Sequence, residues 1–188
     1  MLIIENNNTQ YIDSQLDKGS AFFFNWLEMG MNEKDKSLIL NEIESYQKTL
    51  LNVTPGSHFS FSKSFLNALY QAAQGALVEG LGEEASQIFL MLSHLIPNSY
   101  DVFLGLGMTY QLLKEHQKAT ESYQQAIHIH PQAFQAYLYI AESYLELQDK
   151  EKFEENIQRA RALIPREKDH FQQHVDYLIQ KFKPSTRS

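Results

Sequence analysis

The stretch Tyr100–Pro131, YDVFLGLGMTYQLLKEHQKATESYQQAIHIHP, decides the fold. Counting from Tyr100, Phe103 stands at position 4, Leu106-Gly107 at 7 and 8, and Tyr110 at 11. Ala119, Tyr123 and Ala126 follow at positions 20, 24 and 27, and Pro131 closes the unit at 32. Pro97, Pro131 and Pro165 are spaced 34 residues apart, and looser copies of the same pattern flank the central one. A period of this length, with two apolar runs per unit, describes a helix-turn-helix repeat. No single unit buries its apolar side alone, so three of them must stack on a shared core.

The signature resembles the tetratricopeptide repeat. The expected fold is all-α: a superhelix of three helix-turn-helix repeats, preceded by an N-terminal helical segment and followed by a C-terminal capping helix. Residues 1–61 form the N-terminal apolar segment and possible dimerisation region, 62–165 the repeats, and 166–188 the capping helix and tail. Ser62 or Ser64 caps the first repeat helix. The paired small positions 8 and 20 mark the helix crossings: Ala73 with Ala85, Gly107 with Ala119, and Ala141 with Phe153. Phe153 is too large for that place. It must spread the third hairpin or turn into a neighbouring gap. Each proline follows a second helix and ends it, because proline cannot continue the hydrogen-bond ladder. Glu33 to Asn52 is a further amphipathic helix, and the Pro55-Gly56 region after it is a loop.

Composition removes several function classes. The 188-residue chain carries a net charge of −7 and has no basic stripe, which argues against nucleic acid. It contains no cysteine, so disulfides, thiol catalysis and Cys-based zinc sites are excluded. The N-terminus lacks the pattern of a secretory signal, and apolar runs stay far below the ~20 residues of a membrane span. The expectation is a soluble cytoplasmic protein that does not insert into membranes. The segment Ala21–Met31 holds Phe22, Phe23, Phe24, Trp26, Leu27 and Met29. That is too much apolar surface to leave in water, so it must lie on the repeats or on a second subunit.

Nothing supports catalysis or a metal. His170 and His174 share one helix face, but no third ligand stands at a characteristic spacing. His128 and His130 cannot converge. Glu83-Glu84 and Glu154-Glu155 are read as carboxylates at helix N-termini, where the dipole favours them. Gly105 and Gly107 lie inside a helix and serve packing, not phosphate binding. No cofactor and no enzyme activity are expected.

The repeat resemblance implies that positions 2, 5, 9 and 12 of each first helix face a concave groove. The groove positions are Asn67, Tyr70, Gln74 and Leu77, then Asp101, Leu104, Met108 and Gln111, then Gln135, Leu138, Glu142 and Leu145. None is basic, so the Lys- and Arg-based clamp that some repeats use for acidic chaperone tails is not expected. Tyr70, Leu77, Leu104, Met108 and Leu138 suit an extended apolar segment, with Gln74, Gln111 and Glu142 bonding its backbone. Met108 adds an adaptable wall.

Over residues 64–165 the chain also resembles the class II translocator chaperones of bacterial type III secretion. The resemblance rests on Phe103-Leu104-Gly105-Leu106-Gly107 followed by Gln111, on Ala141-Glu142 followed by Leu145, and on Leu69-Tyr70, Ala72, Ala85, Ile88-Phe89 and Leu92. It implies a cytoplasmic chaperone that holds hydrophobic secreted translocator proteins in its groove. It further implies a homodimer, with Phe22, Phe23, Trp26 and Leu27 as candidate contacts. The competing reading is a repeat adaptor or scaffold that joins folded partners without chaperoning them. The chain departs from the family in an insertion around 51–61 and in Phe153.

Overall fold

The computed structural model describes residues 33–50, 61–165 and 167–182. All elements among them are helices: α1 (Glu33–Leu50), α2 (Lys63–Val78), α3 (Gly82–Leu95), α4 (Tyr100–Leu112), α5 (His116–Ile129), α6 (Phe134–Glu146), α7 (Lys150–Leu163) and α8 (Asp169–Phe182). Phe22, Phe23, Trp26, Leu27 and the loop at 51–60 lie outside the described residues. The chain divides into two compact units, Met1–Asn98 and Ser99–Ser188.

In the N-terminal unit α2 and α3 make the first hairpin. Ser62 caps α2, its hydroxyl accepting from the Phe65 N–H at 3.1 Å. The Ser62 N–H in turn donates to the Glu42 carboxylate of α1 at 2.8 Å, which ties α1 to the start of the repeat. Phe65, Leu69, Ala72 and Ala76 recur at helical spacing on the buried face of α2, and Ile88, Phe89 and Leu92 on that of α3. The crossing residues Ala73 and Ala85 are both fully buried.

The C-terminal unit holds hairpins α4/α5 and α6/α7, followed by α8. Gly107 meets the ring of Tyr123 at its crossing, so the glycine does serve packing. Phe153 is accommodated by rotation. Its ring stacks on Phe182 of α8 with centroids 4.6 Å apart and planes 12° from parallel, and only 2% of the residue is exposed. The space on that side remains an open cleft of about 380 Å3 between α7 and α8. One charge assignment shifts. The acidic residue in the first turn of α7 is Glu151, whereas Glu154 sits a turn later and pairs with Lys150 at 3.6 Å.

All three hairpins turn by one device. The second residue past each first helix takes a left-handed backbone: Gly80 at φ 78°, Lys114 at 61° and Gln148 at 59°. The next N–H reaches back to a carbonyl five residues earlier, Leu81 to Ala76 and Glu115 to Tyr110 at 2.8 Å, and Asp149 to Tyr144 at 3.0 Å. These bonds satisfy the last carbonyls of each first helix. Only the first turn uses glycine, so two of the three pay a modest backbone cost for their side chains.

Helix α8 buries Val175 and Leu178 against the third repeat. Phe171 meets Phe134 edge to face at 4.8 Å, and the Lys168 ammonium lies 5.3 Å from the Phe134 ring. Polar ties flank this contact: His174 to Glu142 and Lys181 to Glu146 on α6, and Arg161 of α7 to Asp176.

Candidate peptide-binding face

The inner positions of α4 behave differently from those of α6. On α4, Met108 is 37% exposed, and Leu112 one turn further is 45% exposed. Leu104 is half-buried and packs on the core of its unit. On α6 the apolar inner positions are closed: Leu138 is 1% exposed and Leu145 5%. Leu138 belongs to the same core cluster as Val175 and Leu178 of α8, which removes it from any surface a peptide could touch in this arrangement.

The polar inner residues are already engaged. Gln111 is fully used on its amide side: Nε2 donates to the Tyr139 carbonyl and to Ser143 Oγ, both at 3.0 Å, while Oε1 accepts from the Tyr123 hydroxyl at 2.6 Å. It therefore links α4 to its own hairpin partner and to the next repeat. Glu142 Oε1 accepts from His174 Nε2 at 2.5 Å. In the N-terminal unit Gln74 Nε2 donates to the Tyr70 hydroxyl at 2.7 Å, and the Tyr70 ring stands edge-on to Phe89. Leu77 on the same helix is half-buried. These bonds stiffen the inner helices and leave a peptide backbone only the spare lone pairs of Gln111 and Glu142, plus the remaining amide capacity of Gln74.

Three tyrosines of the C-terminal unit hold their protons tightly. Burial, then the Glu142 charge, pushes the Tyr123 phenol far up, and the same two causes in the same order raise Tyr139. Burial, followed by Asp101, moves Tyr100 up to about 12. A phenol whose folded value is raised keeps its proton after the unfolded chain has lost it. Its contribution is complete below about pH 10 and declines as pH climbs toward the folded value. Chemical denaturation in steps from pH 9 upward should therefore show stability falling from about pH 10, Tyr123 alone costing about 1.4 kcal/mol per pH unit. Tyr123→Phe should flatten that slope; an unchanged slope would show that Tyr123 is not the group responsible.

Sequence reasoning passed over Leu112 and Tyr177. Leu112 was signalled by its place one turn beyond Met108. Tyr177 was hidden by counting only the buried stripe of α8. Among the described residues no cluster of three or more His, Asp or Glu could hold a metal, and no helix is long and apolar enough to cross a membrane.

Residues 101–133 match the tetratricopeptide-repeat family. No curated protein matches the chain in sequence. Among solved structures, the Yersinia enterocolitica type III secretion translocator chaperone SycD superposes with a TM-score of 0.63 at 23% identity, covering 68% of this chain and 98% of SycD. Pseudomonas aeruginosa PcrH, bound to the chaperone-binding region of PopB, gives 0.60 at 25% identity over 63% of this chain and 97% of PcrH. A type III secretion complex from Aeromonas hydrophila gives 0.62 at 24% identity over 75% of this chain. The chain carries a tetratricopeptide repeat over residues 101–133 and has the all-α fold of the translocator chaperones. The likeness spans almost the whole of SycD and PcrH.

Proposed function

We propose that the protein is a cytoplasmic type III secretion chaperone. It holds an extended apolar segment of a hydrophobic translocator-type partner on its inner face and keeps that partner soluble for export. The observation that carries this reading is the likeness to SycD and PcrH across nearly their full lengths, structures that include complexes with segments of YopD, PopB and PopD. The exposed Met108–Leu112 strip on α4 supports it, since an inner helix that leaves two adjacent apolar side chains in water offers a seat for apolar chain. The uncharged character of the strip suits an aliphatic segment and not an acidic tail.

The test is co-expression with a candidate hydrophobic secreted protein, followed by pull-down. A partner that is soluble only in the presence of this chain supports chaperoning. A partner that folds alone and binds equally well supports a scaffold instead.

Self-association is part of the proposal. Phe22, Phe23, Trp26 and Leu27 would supply a dimer contact, in keeping with the alternative dimer described for SycD. Deleting residues 1–31 should halve the mass seen by light scattering. An unchanged mass and solubility would remove the segment from any interface.

A further inference from the structure

Helix α8 is more than a lid on the last repeat. Two of its side chains reach α6: His174 to Glu142, an inner position, at 2.5 Å, and Lys181 to Glu146, one turn further, at 2.9 Å. On its other flank Asp176 accepts from Arg161 of α7 at 3.1 Å. These ties fix the rotation of α8 about its axis. His174, Tyr177 and Lys181 then share the flank toward α6, at spacings of three and four residues. Tyr177 stands nearly parallel to the His174 ring at 6.2 Å and 24°. The Lys181 ammonium is held above its usual value first by its bond to Glu146, with Tyr177 and Glu142 adding to the effect, so these groups are neighbours.

Tyr177 is 57% exposed, the most exposed large apolar side chain of the C-terminal unit among the described residues. Both acids beside it are engaged by α8, Glu142 by the His174 imidazole and Glu146 by the Lys181 ammonium. On the intervening helix α6 the inner apolar residues Leu138 and Leu145 are buried, and only Leu147 at its C-cap is open, at 38%. Open apolar side chains thus stand on α4, at the end of α6 and on α8.

Building on the chaperone reading, we infer that α8 is a third inner helix of the binding face in this unit and that Tyr177 is a binding residue. Its ring takes a large aliphatic or aromatic side chain at one end of the extended segment whose other anchor lies on Met108 and Leu112. Neighbouring helices stand about 10 Å apart, so two steps cover about 20 Å. At about 3.4 Å per extended residue the two anchors fall about six residues apart. The occupant is an apolar segment of a partner carrying that spacing.

A phage-displayed library of random dodecapeptides, panned on the full-length protein, tests this. The wild type should enrich peptides with two large apolar residues about six apart. On Tyr177→Ala the second anchor should disappear from the selected sequences, and a peptide selected on the wild type should bind about tenfold more weakly. Tyr177→Phe should restore both, since the ring and not the hydroxyl makes the contact, and Gln173→Ala should change neither. Circular dichroism checks that each variant is folded. If Met108→Glu abolishes selection while Tyr177→Ala leaves pattern and affinity intact, α8 lies outside the site although the chaperone reading stands. If Met108→Glu also changes nothing, or the wild type enriches no peptide, both fall. A changed mass of the free protein on Tyr177→Ala would make this face a contact between copies and overturn the assignment.

Discussion

Met108→Glu combined with Leu112→Glu is expected to lower affinity for the proposed translocator-type partner by about 100-fold or more, because each replaces a proposed apolar anchor with a charge that must be desolvated. Both side chains already stand more than a third in solvent, at 37% and 45%, so helix content and unfolding midpoint should hardly move. Leu104→Glu is a poorer test. Leu104 packs on the core, so a carboxylate there would weaken the fold together with the site. Glu121→Ala, on the exposed face of α5, is the control and should leave binding unchanged. A double variant that stays folded and captures its partner at wild-type affinity would move the site away from α4.

The architecture was legible because its determinants are local. Pro97, Pro131 and Pro165 end second helices. Gly107 and Ala119 allow a close crossing. The polar turns recur in register. Each of these acts within a few residues or across one hairpin, and a 34-residue period exposes them by repetition. The turn itself was less visible, since Lys114 and Gln148 take the left-handed place that Gly80 fills in the first repeat.

The candidate binding face was legible only as a set of directions. Helical periodicity tells which way Leu138 points but not that the third repeat and α8 will bury it. That outcome depends on Val175 and Leu178, which lie more than thirty residues away in sequence. The same holds for Glu142, whose partner His174 is 32 residues distant, and for Gln111, whose bonds to Tyr139 and Ser143 span 28 and 32 residues. Polar side chains at inner positions read from sequence as groups waiting for a ligand. In the folded chain they bond each other first, because a half-buried amide or carboxylate without a partner costs more than an engaged one. Phe153 belongs with these cases: its size marked a departure, but only Phe182 reveals where the ring goes.

Two helical glycines should respond to alanine in opposite senses. Gly75 of α2 is exposed, and a Cβ added there meets nothing within 4 Å. Its only contribution is backbone freedom in the unfolded chain, so Gly75→Ala should stabilise the protein by about 0.5–1 kcal/mol. At Gly107 the same atom would fall 2.6 Å from Cδ1 and 2.8 Å from Cζ of Tyr123. That ring cannot step aside: Tyr123 is fully buried, and its hydroxyl is held by Gln111 at 2.6 Å. The helix-propensity gain of about 1 kcal/mol is outweighed by overpacking of about 1–3 kcal/mol or more and by any loss of the buried hydrogen bond. Gly107→Ala should therefore lower the thermal midpoint by several degrees, about 2–4 °C for each kcal/mol lost. Gly107→Val should be worse, since its branched Cβ adds volume on the same side. The clash predicts a specific rescue. Tyr123→Leu shortens the side chain that Gly107 accommodates, so Gly107→Ala should cost less in that background than in the wild type. Equal costs in the two backgrounds would show that the glycine is there for some reason other than the tyrosine ring.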